Sequence, residues 1–195
     1  MNRIIRDYAE YAREQAMDVN VLTSGLMEDC IEEGRSFVNG GVRYHGITLS
    51  FNGITNLTDS LSVIREYVYE RRQLTLDRLL SVLDSNWAGA EALHSQIMRH
   101  AHFFGNDDPR ADSIAQRLVN TIDSIRGGLS SEYANVIVCG SFVGATHPNI
   151  VLGKYLPATP DGRYAGEEMT MGVSQTLGRD RSGVTALLKS IAGLD

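Results

Sequence analysis

The sequence predicts a helix-rich α/β fold, on three observations. Apolar residues recur at helical spacing in five stretches between Asn56 and Ile191. Runs rich in β-branched and aromatic residues are few and short, at about 42–51 and 136–138. The composition, 43% hydrophobic and 22% charged over 195 residues, is that of an ordinary globular chain. Amphipathic helices must bury their apolar stripes against other layers, and these helices outnumber the strands available to receive them. The chain therefore reads as a slice of a larger α/β architecture.

Taken in order, residues 2–17 have helical composition, with Ile4, Ile5, Tyr8, Tyr11 and Ala12 at mixed three- and four-residue spacings. Thr23 or Ser24 is placed to cap a second helix running through Met27, Cys30 and Ile31, which Gly34 ends as its C-cap. Gly40 and Gly41 open a glycine-punctuated stretch (Val42, Tyr44, Ile47, Leu49, Phe51) that reads as one or two short strands. From Asn56 the period changes. Leu57, Leu61, Ile64 and Val68 form a helical stripe, with Asn56 or Thr58 as the candidate N-cap.

Thr75 and Asp77 start the next helix, which carries Leu76, Leu79, Leu80 and Leu83, and residues 90–101 form another around Leu93, Ile97 and Ala101. Residues 103–109 break that pattern. Asp108 before Pro109 signals a new helix whose buried face is Ile114, Leu118, Thr121, Ile122 and Ile125, with Gly127 and Gly128 expected to stop it. Val136, Ile137 and Val138 suit a buried strand. The rest, up to Ser182, is rich in Gly, Pro and Thr without helical period, and a long irregular stretch of this kind usually carries function. Residues 185–191 return to helix.

The formal net charge of −6, with basic residues scattered along the chain, lacks the electrostatic footprint of a nucleic-acid binder. No apolar run approaches the roughly 20 residues of a membrane span, and the N-terminus lacks a signal-peptide core. Neither nucleic acid nor membrane is expected as a partner, and the expected location is cytoplasmic. The two cysteines, Cys30 and Cys139, share no ligand spacing, so neither a disulfide framework nor a zinc site is suggested.

Several residue groups invite a chemical reading. His94, His100 and His102 lie close in sequence, but no HExxH or helical carboxylate partner accompanies them, and no metal site is assigned. The acidic run from Phe104 to Asp112 suits either a cation loop or a loop followed by a helix cap, and it lacks the ligand spacing of a calcium loop. Ala158-Thr159-Pro160-Asp161-Gly162-Arg163 is a turn in which Pro160 presets φ, Gly162 supplies a left-handed position and Arg163 is free to hold a carboxylate. Arg179 and Arg181 precede a helix start, which fits an anion site, while an Arg179–Asp180 ion pair fits equally well. Cys30, among Asp29, Glu32 and Glu33, is blunted as a nucleophile by its acidic neighbours, and Cys139 follows an apolar strand without a basic neighbour.

The order of segments carries a resemblance. Gly40-Gly41-Val42-Arg43-Tyr44, Asp59-Ser60-Leu61, Phe104-Gly105-Asn106-Asp107, Ala158 to Arg163, then Gly178-Arg179-Asp180 and Gly183-Val184-Thr185-Ala186 with Lys189-Ser190, together resemble the later part of the glycyl radical enzyme barrel. That family includes pyruvate formate-lyase and the glycerol, choline and hydroxyproline radical lyases. Gln175 and Val184 stand where the family often has proline, which places the chain in a less typical branch.

The resemblance implies residues 1–195 as a partial, helix-rich piece of a ten-stranded α/β barrel. In the family a radical-SAM activating enzyme installs a glycyl radical, a cysteine thiyl then abstracts hydrogen from a small-molecule substrate, and no cofactor is bound directly by this segment. The family's cysteine loop would lie upstream and its radical loop downstream. Neither Cys30 nor Cys139 matches the cysteine loop, so no catalytic residue is carried over. The implied parent is a dehydratase or other lyase of anaerobic metabolism, with a formate acetyltransferase as the alternative. Its remaining chain is the implied partner of this segment, which alone is expected to be inactive. A non-catalytic binding or assembly module derived from the barrel is the reading from another class. Ser174, Gln175, Gly178, Arg179 and Asp180 are the residues expected to form a substrate-pocket wall.

Overall fold

The structure is a computed structural model that describes residues 21–37, 40–132, 136–141 and 146–194. The helix expected at residues 2–17 lies outside the described residues. The chain divides into two compact units, Met1–Thr48 with Gly128–Cys139, and Leu49–Gly127 with Gly140–Asp195.

In the first unit the helix expected around Met27 is two pieces, α1 (Val21–Leu26) and α2 (Cys30–Glu33). Asp29 stands between them in the left-handed region at φ 73°, which breaks the helix. Ser24 lies inside α1, where its Oγ accepts the Phe37 amide instead of capping a helix start. Gly34 is the C-cap, at φ 61°, as its placement predicts. The two expected strand regions are β1 (His45–Ser50) and β2 (Val136–Ser141), paired in a two-stranded sheet.

The second unit is helical. Helix α3 (Ile54–Val63) continues into a π-helical turn, Ile64–Glu70, with Gly53 as N-cap at φ 77° in place of Asn56 or Thr58. Helix α4 (Leu76–Asp84) begins at Thr75, whose Oγ1 accepts the Arg78 amide at 3.1 Å, and α5 (Glu91–His100) follows. Helix α6 (Pro109–Glu132) starts at the expected proline but runs through Gly127 and Gly128. A glycine within a helix costs only about 1 kcal/mol relative to alanine, too little to stop it by itself. Helix α7 (Thr146–Tyr155) occupies part of the stretch expected to be irregular, and α8 (Gly183–Ala192) matches the last expected helix.

An apolar core gathers Val63, Tyr67, Val82, Trp87, Ile97 and Phe103, each at most 2% exposed. A smaller cluster of Phe104, Ala111 and Ala115 receives Ile191 and Leu194 from α8 and its end. The α3 face departs from expectation. Its buried residues are largely polar, including Thr55, Asn56, Thr58, Asp59 and Ser62, while Leu57 is 46% exposed.

Candidate ligand cavity and its buried ion network

The polar face of α3 is explained by what it meets. Asn56 and Asp59, one turn apart, project from the same side of the helix. The Arg179 guanidinium, 2% exposed, donates through Nη1 to Asp59 Oδ2 at 2.7 Å and to Asp161 Oδ2 at 3.1 Å, and through Nη2 to the Asp161 main-chain oxygen at 2.6 Å. The other Asp59 oxygen accepts the Phe104 amide at 2.8 Å. Asn56 Nδ2 donates to Asp161 at 2.9 Å, and its Oδ1 accepts the Thr170 amide at 2.8 Å. Thr159 Oγ1 donates to the remaining Asp161 oxygen. All four carboxylate oxygens therefore have donors, which a buried charge requires.

This cluster joins α3, the loop after α5, the Pro-Asp-Gly turn and the segment before α8. Burial pushes the Asp59 carboxyl up to about 7, against the opposing pull of Arg179 and of the Phe104 amide. The Arg179 guanidinium also lies 4.4 Å from the centroid of Phe103, with Arg181 5.4 Å from the same ring, so one core aromatic faces two cations.

The turn at Asp161 has the geometry its sequence predicts. Gly162 is at φ 92°, its amide donates to the Thr159 oxygen at 3.0 Å, and a Cβ at Gly162 would stand 2.7 Å from Met98 Sδ. Arg163 differs from expectation. Its guanidinium holds no carboxylate and donates instead to the main-chain oxygens of Glu167 at 2.7 Å, Tyr164 at 3.1 Å and Pro157. The turn is thereby tied to the segments on both sides of it.

The residues near 179 resolve differently from either alternative in the sequence. Arg179 pairs with Asp59 and Asp161, not with Asp180. Asp180 accepts the Gly183 amide at 2.8 Å, at the start of α8. Arg181 donates to the Ala101 oxygen at 3.0 Å and to the Met98 oxygen, at the C-terminal end of α5, where a cation also meets the helix dipole. The Nη atoms of both guanidiniums are thus taken within the protein, while the buried Arg179 Nε has no hydrogen-bond partner.

The acidic run takes its loop alternative. Asp107 pairs with Lys189 at 2.8 Å, Asp108 engages His102 and the Arg110 amide, and Asp112 accepts Ser190 Oγ at 2.8 Å. For Asp108, burial pushes the carboxyl up, but the Arg110 amide and His102 outweigh it and hold it below the usual range. The three histidines go separate ways. His94 Nε2 donates to the Gly162 oxygen at 2.8 Å, and His102 lies between Asp108 and Arg110. Among the described residues no group of three or more His, Cys, Asp or Glu is placed to hold a metal ion. Cys30 is buried, and the Cys139 side chain lies outside the described residues.

A cavity of about 610 Å³ opens beside the ion network, within the size range of small-molecule sites. Of the expected wall residues, Ser174, Gln175 and Arg179 line it, while Gly178 and Asp180 are exposed and do not. Gln175 Nε2 reaches the Gly105 oxygen at 2.5 Å. A Cβ at Gly105 would lie 2.2 Å from Gln175 Cγ, so only glycine admits Gln175 there. Met98, Tyr164 and Thr176 also line the cavity without having been singled out in the sequence, and His94, weighed there only as a metal ligand, joins them. For the α3 side of the network the available signal was Asn56 and Asp59 interrupting an apolar helix at i, i+3.

These observations meet the resemblance in the sequence at a single family. Residues 4–144 match the family described as pyruvate formate lyase-like, and the chain belongs to the glycyl radical enzymes. It is 33% identical over 178 residues to trans-4-hydroxy-L-proline dehydratase of Clostridioides difficile, covering 89% of this chain and 22% of the relative. It is 31% identical over 194 residues to the probable dehydratase YbiW of Escherichia coli, covering 95% and 24%. A crystal structure of a glycyl radical enzyme from Archaeoglobus fulgidus superposes with a TM-score of 0.85 at 27% identity, covering 98% of this chain and 24% of that one. The chain thus spans between a fifth and a quarter of the length of these relatives. Among the described residues, no helix is long and apolar enough to cross a membrane.

Proposed function

We propose that this chain supplies scaffold and one pocket wall to the ten-stranded barrel of a glycyl radical dehydratase or lyase that acts on a small metabolite. The observation that carries this reading is the identity to a dehydratase of the family over 89% of the chain. In this reading residues 1–195 form a partial barrel domain, and Ser174, Gln175 and Arg179 belong to the wall of the substrate pocket, with Gly178 and Asp180 flanking Arg179 outside the cavity. The glycyl radical and the thiyl that abstracts hydrogen belong to other parts of the enzyme, the radical being installed by a radical-SAM activating enzyme. The contribution of this segment is positioning. The Asp59–Arg179–Asp161 network fixes the turn 158–163 and the segment 174–181 against α3, so that a pocket wall holds its shape without any catalytic side chain of its own. Leu177, 95% exposed, and Val184 and Leu188, both above 60%, support the reading, since apolar surface of this kind suits contact with further polypeptide.

The test has two parts. The isolated chain, incubated anaerobically with an activating enzyme of the family, is expected to show no glycyl radical signal by electron paramagnetic resonance and no turnover. A chimera in which this chain replaces the corresponding span of the hydroxyproline dehydratase is expected to fold and accept the radical. A folded chimera that takes up no radical would overturn the scaffold assignment.

A further inference from the structure

Both ring nitrogens of His102 are engaged, and their partners fix where its proton sits. Nδ1 meets Asp108 Oδ2, and Nε2 stands 2.7 Å from Arg110 Nη1. A guanidinium carries donors only, so Nε2 must offer it a lone pair. Asp108, held below the usual carboxylate range, is an acceptor, so the single ring proton lies on Nδ1. His102 is therefore neutral in this arrangement, with both partners drawn from the start of α6.

A third group faces the same nitrogen. Glu66 Oε1 lies 3.9 Å from His102 Nε2, on the π-helical turn Ile64–Glu70, an irregularity of the kind that often marks a functional position. Glu66 is buried and pairs with Arg71, yet neither of its carboxylate oxygens has a hydrogen bond. A buried carboxylate short of donors is costly. The other charges around the ring are Arg65, which donates to the Arg110 main-chain oxygen at 2.9 Å, and Glu70, 3.4 Å from Arg65. One further proton on His102 has a defined result: an Nε2–H cannot face the Arg110 donor, and Glu66 is the acceptor within reach.

We infer that His102 is a proton-driven clamp between the π-helical turn and α6. Neutral, it bridges Asp108 and Arg110 within the start of α6. Protonated, it releases Arg110 and joins Glu66 to Asp108, tying two separate elements together. The clamp does not depend on what the cavity binds. It reaches the cavity wall because the loop between His102 and Asp108 carries Gly105 and Asn106, whose oxygens accept Gln175 Nε2 and the Arg181 amide.

The experiment is nuclear magnetic resonance of the full chain, labelled at histidine, with amide hydrogen exchange at pH 8 and pH 5. At pH 8 the His102 ring should show the Nδ1–H tautomer, and at pH 5 both nitrogens should carry protons. The amides of residues 66–71 should then exchange about fivefold more slowly at pH 5, corrected for the intrinsic rate and taken relative to α4, the size of a modest ion pair. Glu66→Gln and His102→Gln should each abolish that gain. Asp59, raised to about 7, changes charge in the same interval, so a gain that persists in His102→Gln belongs to Asp59 and overturns the clamp. A ring that stays neutral at pH 5, or one that protonates without slowing residues 66–71, overturns it as well. These last two readings come from the unsubstituted chain and decide the matter even where a variant fails to fold.

Discussion

Two buried regions of the second unit are built on opposite principles. The core around Trp87 is apolar, closed and made mostly from neighbouring helices, whereas the cluster around Arg179 is ionic and joins residues as far apart as Asp59 and Arg179. Phe103 belongs to both, packing in the core while facing the Arg179 guanidinium. The difference separates stability from specificity. Apolar burial stabilises in proportion to area and tolerates substitutions of similar volume. A buried ion cluster adds little net stability but admits only one arrangement of its segments, and removing one member strands the others.

Arg179→Met is therefore the largest single break available. It leaves Asp59 and Asp161 buried without their cation and should cost about 5 kcal/mol, the upper end for a broken buried pair. Urea unfolding followed by circular dichroism checks it. A loss below about 1 kcal/mol would mean the cluster is solvated in solution, and the contrast with the Trp87 core would vanish.

The cluster should also make stability depend on pH. The Asp59 carboxyl is raised from 3.8 to about 7, chiefly by burial. Its contribution is fully present below the unfolded value, falls as the unfolded chain ionises first, and is lost once pH passes the folded value. Stability should thus decline between about pH 4 and pH 7, by about 4 kcal/mol if the whole shift is expressed. Asp59→Asn should flatten that decline. Parallel slopes for the two proteins, measured by urea unfolding at pH 4.5, 6 and 8, would remove Asp59 as its source.

The apolar region should respond to volume and not to pH. Ile97, fully buried against the Trp87 core, should cost about 3 kcal/mol as Ile97→Ala, the usual sum of lost transfer energy and residual cavity. The same loss at pH 4.5 and pH 8 is expected. A pH-dependent loss would show that the two regions are coupled through Phe103.

This contrast also accounts for what the sequence revealed. Ile97 and Leu79 were legible because burial of an apolar stripe repeats every helical turn. The face of α3 was not, because its partners (Phe104, Asp161, Thr170, Ser174) come from distant segments and no local period encodes them. Leu57 therefore looked buried and is exposed, while Asp59, which lies off that stripe, is buried. Gly162 and Gly34 were readable as left-handed positions, whereas Gly127 was misread as a stop, since a glycine terminates a helix only where the backbone turns. Arg179 was singled out in the sequence, but its partners are set by tertiary structure and not by its neighbour Asp180.

The smallest expected effect tests whether local signals, where legible, behave locally. Thr75 Oγ1 accepts the Arg78 amide and starts α4, whose buried residues Leu79 and Val82 lie beyond the first turn. Thr75→Ala removes that acceptor and should cost about 1 kcal/mol. Because Thr75 touches neither the ion cluster nor Phe103, its cost should add to that of Asp59→Asn within about half a kcal/mol in the double variant. Urea unfolding of the single and double variants checks it. A larger departure would mean that α4 and the cluster share a strained element, and that the two regions are less separable than their contacts indicate.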